Sequence, residues 1–157
     1  MPKLQKIHLS KGYAILLIAL ALATIGLKVM QYHWPRAVLE LKGERVEVLV
    51  AGTPVHWYKG LGGRDRLKNA DAMLFVFPYE DRHGFVMRDM RFPIDIIWFQ
   101  DGRVVDIAPN VPLDPEVEQD LHVYLPRNVA NAALEIPAGW AVAHDLRIGD
   151  RLEVISD

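Results

Sequence analysis

Phe85-Val86-Met87-Arg88-Asp89-Met90-Arg91-Phe92-Pro93-Ile94-Asp95-Ile96-Ile97-Trp98-Phe99 is the stretch on which the fold turns. Ile94 to Phe99 is apolar, branched and aromatic, bounded by Pro93 on one side and by Asp101-Gly102 on the other, so it predicts a buried strand. Phe85 to Met87 predicts a shorter strand before it. Within the second strand Asp95 shares a face with Ile97 and Phe99. A carboxylate there is costly to bury unless paired. Arg88, one short turn upstream through Arg91 and Phe92, is the expected partner, because a guanidinium can hold a carboxylate with two hydrogen bonds.

Outward from this stretch the pattern stays β-rich. Ala37 to Leu41 and Arg45 to Ala51 alternate around Lys42-Gly43-Glu44, a hairpin signal. Thr53-Pro54 opens a short helix carrying Val55, Trp57 and Tyr58, which ends near Gly60, Gly62 and Gly63. Met73 to Phe77 predicts a buried strand stopped by Pro78. Asp101-Gly102 turns the chain into Val104 to Ala108. Residues 110–128, with Pro112, Pro115 and Pro126, predict a long surface loop. Ala132 to Ile136 predicts a strand, Ala138 to Asp145 a short helix, and Leu152 to Ile155 a last strand. No βαβ rhythm is visible. The expected fold is mainly β (α+β): a small β-barrel-like domain, closed or half-closed, with two short helices.

The amino terminus is of a different kind. The first acidic residue is Glu40, and Tyr13 to Leu27 is an apolar run of 15 residues preceded by Lys3, Lys6 and Lys11. A spanning helix needs about 20 residues; Lys28 can snorkel, extending the run through Val29 and Met30 toward Tyr32 and Trp34. The expectation is a single-pass signal anchor in residues 1–34, in the membrane through residues 13–30, with the lysine-rich head cytoplasmic. Residues 35–157 then form an extracytoplasmic domain. The alternative is a cleaved signal peptide, with small residues at Ala19, Ala21 and Ala23, which would leave the domain secreted.

Composition narrows the chemistry. Four lysines belong to the first 31 residues, so the remainder holds 14 basic and 20 acidic residues, a net charge of −6. That sign argues against nucleic acid as a partner. There is no cysteine, and Ser10 and Ser156 are the only serines. Cysteine and serine nucleophiles, thiolate metal sites and Gly-x-Ser-x-Gly are therefore absent. His56, His122 and His144 lack ligand spacing, so no metal is expected. Gly60-Leu61-Gly62-Gly63-Arg64 lacks the ending of a phosphate loop and is read as a helix stop. No cofactor is implied. His83, in the charged turn Asp81-Arg82-His83-Gly84, is read as solvated.

Several blocks in order resemble a known family: Lys59-Gly60-Leu61, Arg64 and Leu67; Met73-Leu74-Phe75-Val76-Phe77; Phe85-Val86-Met87-Arg88-Asp89; Pro93-Ile94-Asp95-Ile96 with Phe99; Asp101-Gly102-Arg103-Val104; Leu134-Glu135-Ile136-Pro137-Ala138-Gly139; and Ile148-Gly149-Asp150-Arg151-Leu152. Together they resemble the prokaryotic family catalogued as domain of unknown function 192, over about Val46 to Val154. The resemblance implies a small β-rich domain, often behind a signal sequence, and brings no established reaction. This chain departs from the family pattern in its aromatic-Met-Lys-Asn-Thr run, which here reads Val86-Met87-Arg88-Asp89-Met90. It also has Gly62 where the family has Met, and Ala72 where it has Gly. The positive charge at Arg88 survives, while the amide becomes the carboxylate of Asp89.

Two readings of the site stay open. Arg88 and Asp95 close the barrel's end as a structural pair, or Arg88, Asp89 and Asp95, helped by Arg64, line a small polar pocket. Two function classes follow: a membrane-tethered module binding an unknown small molecule or an envelope protein, or a hydrolase of the cell envelope using Asp89 and Asp95 as its carboxylates. The missing nucleophile, metal set and cofactor loop favour the binding module over an enzyme.

Overall fold

A computed structural model of the chain describes residues 10–114 and 120–155. The lysine-rich head before Ser10, Pro115 in the expected loop, and Ser156 fall outside the described residues. The chain divides into two compact units, Met1–His33 and Trp34–Asp157.

In the first unit a helix α1 (Lys11–Tyr32) has a segment, Lys11–Val29, with mean hydropathy 2.1. No acidic residue enters it, and Leu16, Leu20 and Leu27 are all exposed. At 1.5 Å per residue it is long enough, and apolar enough, to cross a bilayer.

The second unit is a seven-stranded sheet. Its strands are β1 (Arg36–Leu41), β2 (Glu44–Ala51), β3 (Ala72–Asp81), β4 (Ile94–Gln100), β5 (Arg103–Val111), β6 (Ala130–Pro137) and β7 (Leu152–Ile155), with two short helices, α2 (Pro54–Lys59) and α3 (Trp140–Ala143). The spatial order is β5-β4-β6-β3-β2-β1-β7. Its two edges approach each other at a bridge between Arg103 and Arg151, and Leu152 donates to the Gly102 carbonyl at 2.7 Å. The sheet is thus a half-barrel, mainly β, as the alternating pattern predicts.

Local chemistry accounts for the turns. Lys42 and Gly43 both take positive φ, 59° and 80°, and join β1 to β2 in a two-residue hairpin. Positive φ at both central residues gives the twist that antiparallel strands need. Thr53 caps α2, its hydroxyl accepting from His56 N–H at 3.3 Å. One element order differs from expectation: β2 and β3 are parallel, with α2 in the crossover between them. A single short βαβ unit does not leave a sequence rhythm.

β4 is buried along Ile94–Phe99, which explains why every position there but Asp95 is apolar. Parity divides its two faces. Ile97 and Phe99 join Leu39, Leu74, Leu134 and Ile136 in the core beneath α3, whereas Ile94, Ile96 and Trp98 join Met73, Phe75, Phe85 and Met87 on the opposite face.

Four expected elements need correction. β3 does not stop at Pro78 but runs to Asp81. Pro78 lies in the interval where pairing with β6 shifts between Val76 and Asp81, where a missing N–H costs no regular ladder bond. Phe85 to Met87 is not a strand. Phe85 only exchanges two hydrogen bonds with Tyr124, at 3.0 and 2.8 Å, and the chain then turns at Arg88 and Asp89. The expected helix from Ala138 to Asp145 shortens to Trp140–Ala143, because Gly139 takes a left-handed conformation. In the expected loop 110–128, β5 continues to Val111.

Candidate functional site

The four residues singled out by sequence do not come together as one pocket. Asp95 is fully buried on the α3 face of β4. Its Oδ1 accepts from Asn110 N–H at 2.8 Å and from Gly139 N–H at 3.1 Å, and its Oδ2 accepts from Ala141 N–H at 2.7 Å. The pairing expected with Arg88 is therefore replaced by three backbone donors. They satisfy the carboxylate without a cation and pin β5 and the start of α3 to β4.

Arg88 lies on the other side of the sheet, in the segment that covers the Phe85 and Met87 face. Its guanidinium stands 4.6 Å from the Tyr58 ring centroid. Asp89 is exposed, with φ of 54°, and its carbonyl accepts from Gly63 N–H at 2.8 Å. Asn and Asp both tolerate the left-handed region, so an Asn-to-Asp change there preserves the turn. Gly62 explains another departure from the family pattern. A Cβ there would fall 2.9 Å from the Arg88 carbonyl oxygen, so the two loops approach closer than a side chain allows. Arg64 stacks 5.1 Å from the Trp34 ring, which in turn stacks on His56 at 4.2 Å. Burial lowers the Arg64 pKa from its usual value, and its Nε has no hydrogen-bond partner.

The chemically unusual group is Glu135. It is only 5 % exposed, and its Oε2 has no hydrogen-bond partner. Burial pushes its carboxyl up to about 8, so it is largely undissociated at neutral pH. β6 places it opposite Met73 of β3 and Ile96 of β4, on the face away from Asp95. It borders a cavity of about 230 Å³. Phe75, Phe77 and Phe85 supply aromatic walls, and α2 and its cap supply Tyr58, Lys59 and Gly60. Gly60 leaves room beside the carboxyl: a Cβ there would lie 3.9 Å from Oε2. His83 and Arg88 also line the cavity. His83 is not simply solvated, since its ring stacks on Phe77 at 3.6 Å and its Nε2 lies 3.0 Å from the Tyr79 carbonyl oxygen.

Of the four sequence candidates only Arg88 lines this cavity. Glu135 could have been found by the argument that found Asp95. It is a lone carboxylate in the apolar strand Ala132-Ala133-Leu134-Glu135-Ile136. Among the described residues no group of three His, Asp or Glu is placed to hold a metal ion.

Fold and site together define a β half-barrel with an aromatic cavity bordered by one buried carboxyl. Within that class, the family model for domain of unknown function 192, described as an uncharacterised conserved group, matches residues 37–154, and the chain belongs to this family. An uncharacterised UPF0127 protein of Pyrococcus furiosus is 31% identical over 114 residues, covering 69% of this chain and 87% of that one. A crystal structure of a protein of unknown function from Novosphingobium aromaticivorans is similar at a TM-score of 0.64 and 28% identity, covering 76% of this chain and 84% of that one. A candidate transcription regulator from Sinorhizobium meliloti has a TM-score of 0.68 at 24% identity, covering 77% of this chain and 95% of that one. This last likeness is one of fold alone.

Proposed function

We propose that the domain is a small-ligand binding module tethered at the outer face of the cell membrane, with its ligand seated on Glu135. The observation that carries this reading is the buried, unpartnered Oε2 of Glu135, a residue that lines an aromatic cavity. A buried polar atom without a partner costs free energy, on the order of 1–3 kcal/mol, unless something supplies the missing bond. Small-molecule sites have this composition, apolar walls and a few placed polar groups. The hydrolase reading gains nothing from the geometry, because Asp95 is saturated by backbone donors and Asp89 serves a turn.

The test of binding compares the full chain, extracted from membranes in detergent, with its Glu135→Leu variant. Small molecules released on acid unfolding should include a species present with the wild type and missing with the variant. Identical profiles would sink the binding reading.

The tether rests on α1 and the lysines before it. A reporter active only outside the cytoplasm, fused after Asp157, should be active. A silent reporter, with a cytoplasmic one active at the same position, would reverse the topology.

A further inference from the structure

We propose that the Glu135 cavity recognises an uncharged amide group, a carboxamide or a peptide unit, through a paired hydrogen bond with the Glu135 carboxyl. This deepens the binding reading above and rests on it. An undissociated carboxyl is a donor and an acceptor side by side. An amide presents the complementary pair, a carbonyl oxygen and an N–H, so the two groups close a ring of two hydrogen bonds. Glu135 lines the cavity, its Oε2 is buried without a hydrogen-bond partner, and Gly60 presents no side chain where a Cβ would touch that oxygen at 3.9 Å.

The surroundings select against charged groups at this position. Among the described residues, the titratable side chains that line the cavity are Tyr58 and Lys59 from α2, His83 and Arg88 from the segment after β3, and Glu135 itself from β6. Among them β3 contributes Phe75 and Phe77. An ammonium ligand would gain no ion pair from a carboxyl that burial keeps protonated. A carboxylate seated on Glu135 would face an acid group in a desolvated place with aromatic walls. An amide carries no net charge to desolvate, and its apolar substituents suit Phe75, Phe77 and Phe85. The cavity of about 230 Å³ suits a short amide-bearing group rather than a drug-sized ligand.

The probes are three small molecules of similar shape: acetamide, acetate and methylammonium. Each is titrated into the full chain in detergent micelles, labelled with ¹⁵N-glycine so that Gly60, Gly62 and Gly84 of the cavity wall report. Acetamide should shift these resonances at pH 6, and its affinity should fall at least tenfold between pH 6 and pH 10 as Glu135 loses its proton. Glu135→Gln keeps a donor and an acceptor, so it should bind acetamide with no such pH dependence. Glu135→Leu should not bind it. Preferential binding of acetate, or of methylammonium with affinity rising with pH, would overturn the amide assignment while leaving the cavity a ligand site. No shift from any probe would overturn both. An acetamide response unchanged in Glu135→Leu would place the probe elsewhere and overturn the assignment.

Discussion

A Glu135→Gln variant should lose much less stability than the wild type as pH rises from 5 to 9. The folded-state value of Glu135 is about 8 against an ordinary 4.5, and burial is the cause. Between those values the folded state keeps a proton that the unfolded chain gives up. Stability linked to Glu135 is therefore fully present below about pH 4.5. It falls as pH rises and levels off above about 8. Each pH unit in this window corresponds to about 1.4 kcal/mol, so the whole interval is worth on the order of 5 kcal/mol. Glutamine does not titrate, and the difference between the two stability curves isolates this one group. Unfolding followed by fluorescence suits the measurement, because Trp34, Trp57, Trp98 and Trp140 all lie in the second unit. Parallel curves would mean that the Glu135 carboxyl has water or a partner in the folded protein, and the amide-pairing argument would lose its premise.

Asp95→Ala should destabilise the domain by roughly 3–6 kcal/mol. It strands the N–H of Ala141 in a buried place and those of Asn110 and Gly139 in part-buried ones, each worth about 1–3 kcal/mol when left unsatisfied. Asp95→Asn should be only partly tolerated. One oxygen can still accept from Asn110 and Gly139, but the new amide N–H₂ opposes the donor of Ala141. Arg88→Lys should leave this network untouched, because no arginine takes part in it. A double-mutant cycle between Asp95→Ala and Arg88→Ala is the decisive measurement, with an expected coupling near zero. A coupling above about 1 kcal/mol would restore the ion pair that the sequence suggests.

Those two carboxylates mark the limit of what could be read from the chain. The argument that a lone acid in an apolar strand needs a partner was sound for Asp95, which is fully buried and fully bonded. It named the wrong partner because it considered only the neighbour in sequence. Asn110, Gly139 and Ala141 lie 15 to 46 residues away, and their contribution is main-chain N–H, which carries no residue signature. Glu135 was visible as a family residue and as an interruption of a strand, but its solvation was not. Whether a strand carboxyl meets backbone donors or an empty cavity depends on what covers that face of the sheet. Here α3 covers one face, and the Phe85–Met90 segment covers the other.

Elements whose cause is local were legible in the chain. The Lys42-Gly43 hairpin, the Thr53-Pro54 helix start, the Asp101-Gly102 turn and the apolar strand Ile94 to Phe99 follow from turn conformation, capping and short-range hydrophobic pattern. The apolar α1 follows from composition alone. Tertiary packing set the parallel β2–β3 pairing, the passage of β3 through Pro78 and the reduction of Phe85 to a single bridge. These are settled by long-range pairing partners that local propensity does not encode. It also decided the site. A side-chain period of two puts Asp95 of β4 and Glu135 of β6 on opposite faces in this register. A shift of one residue between these two strands would have put both carboxylates on the same face.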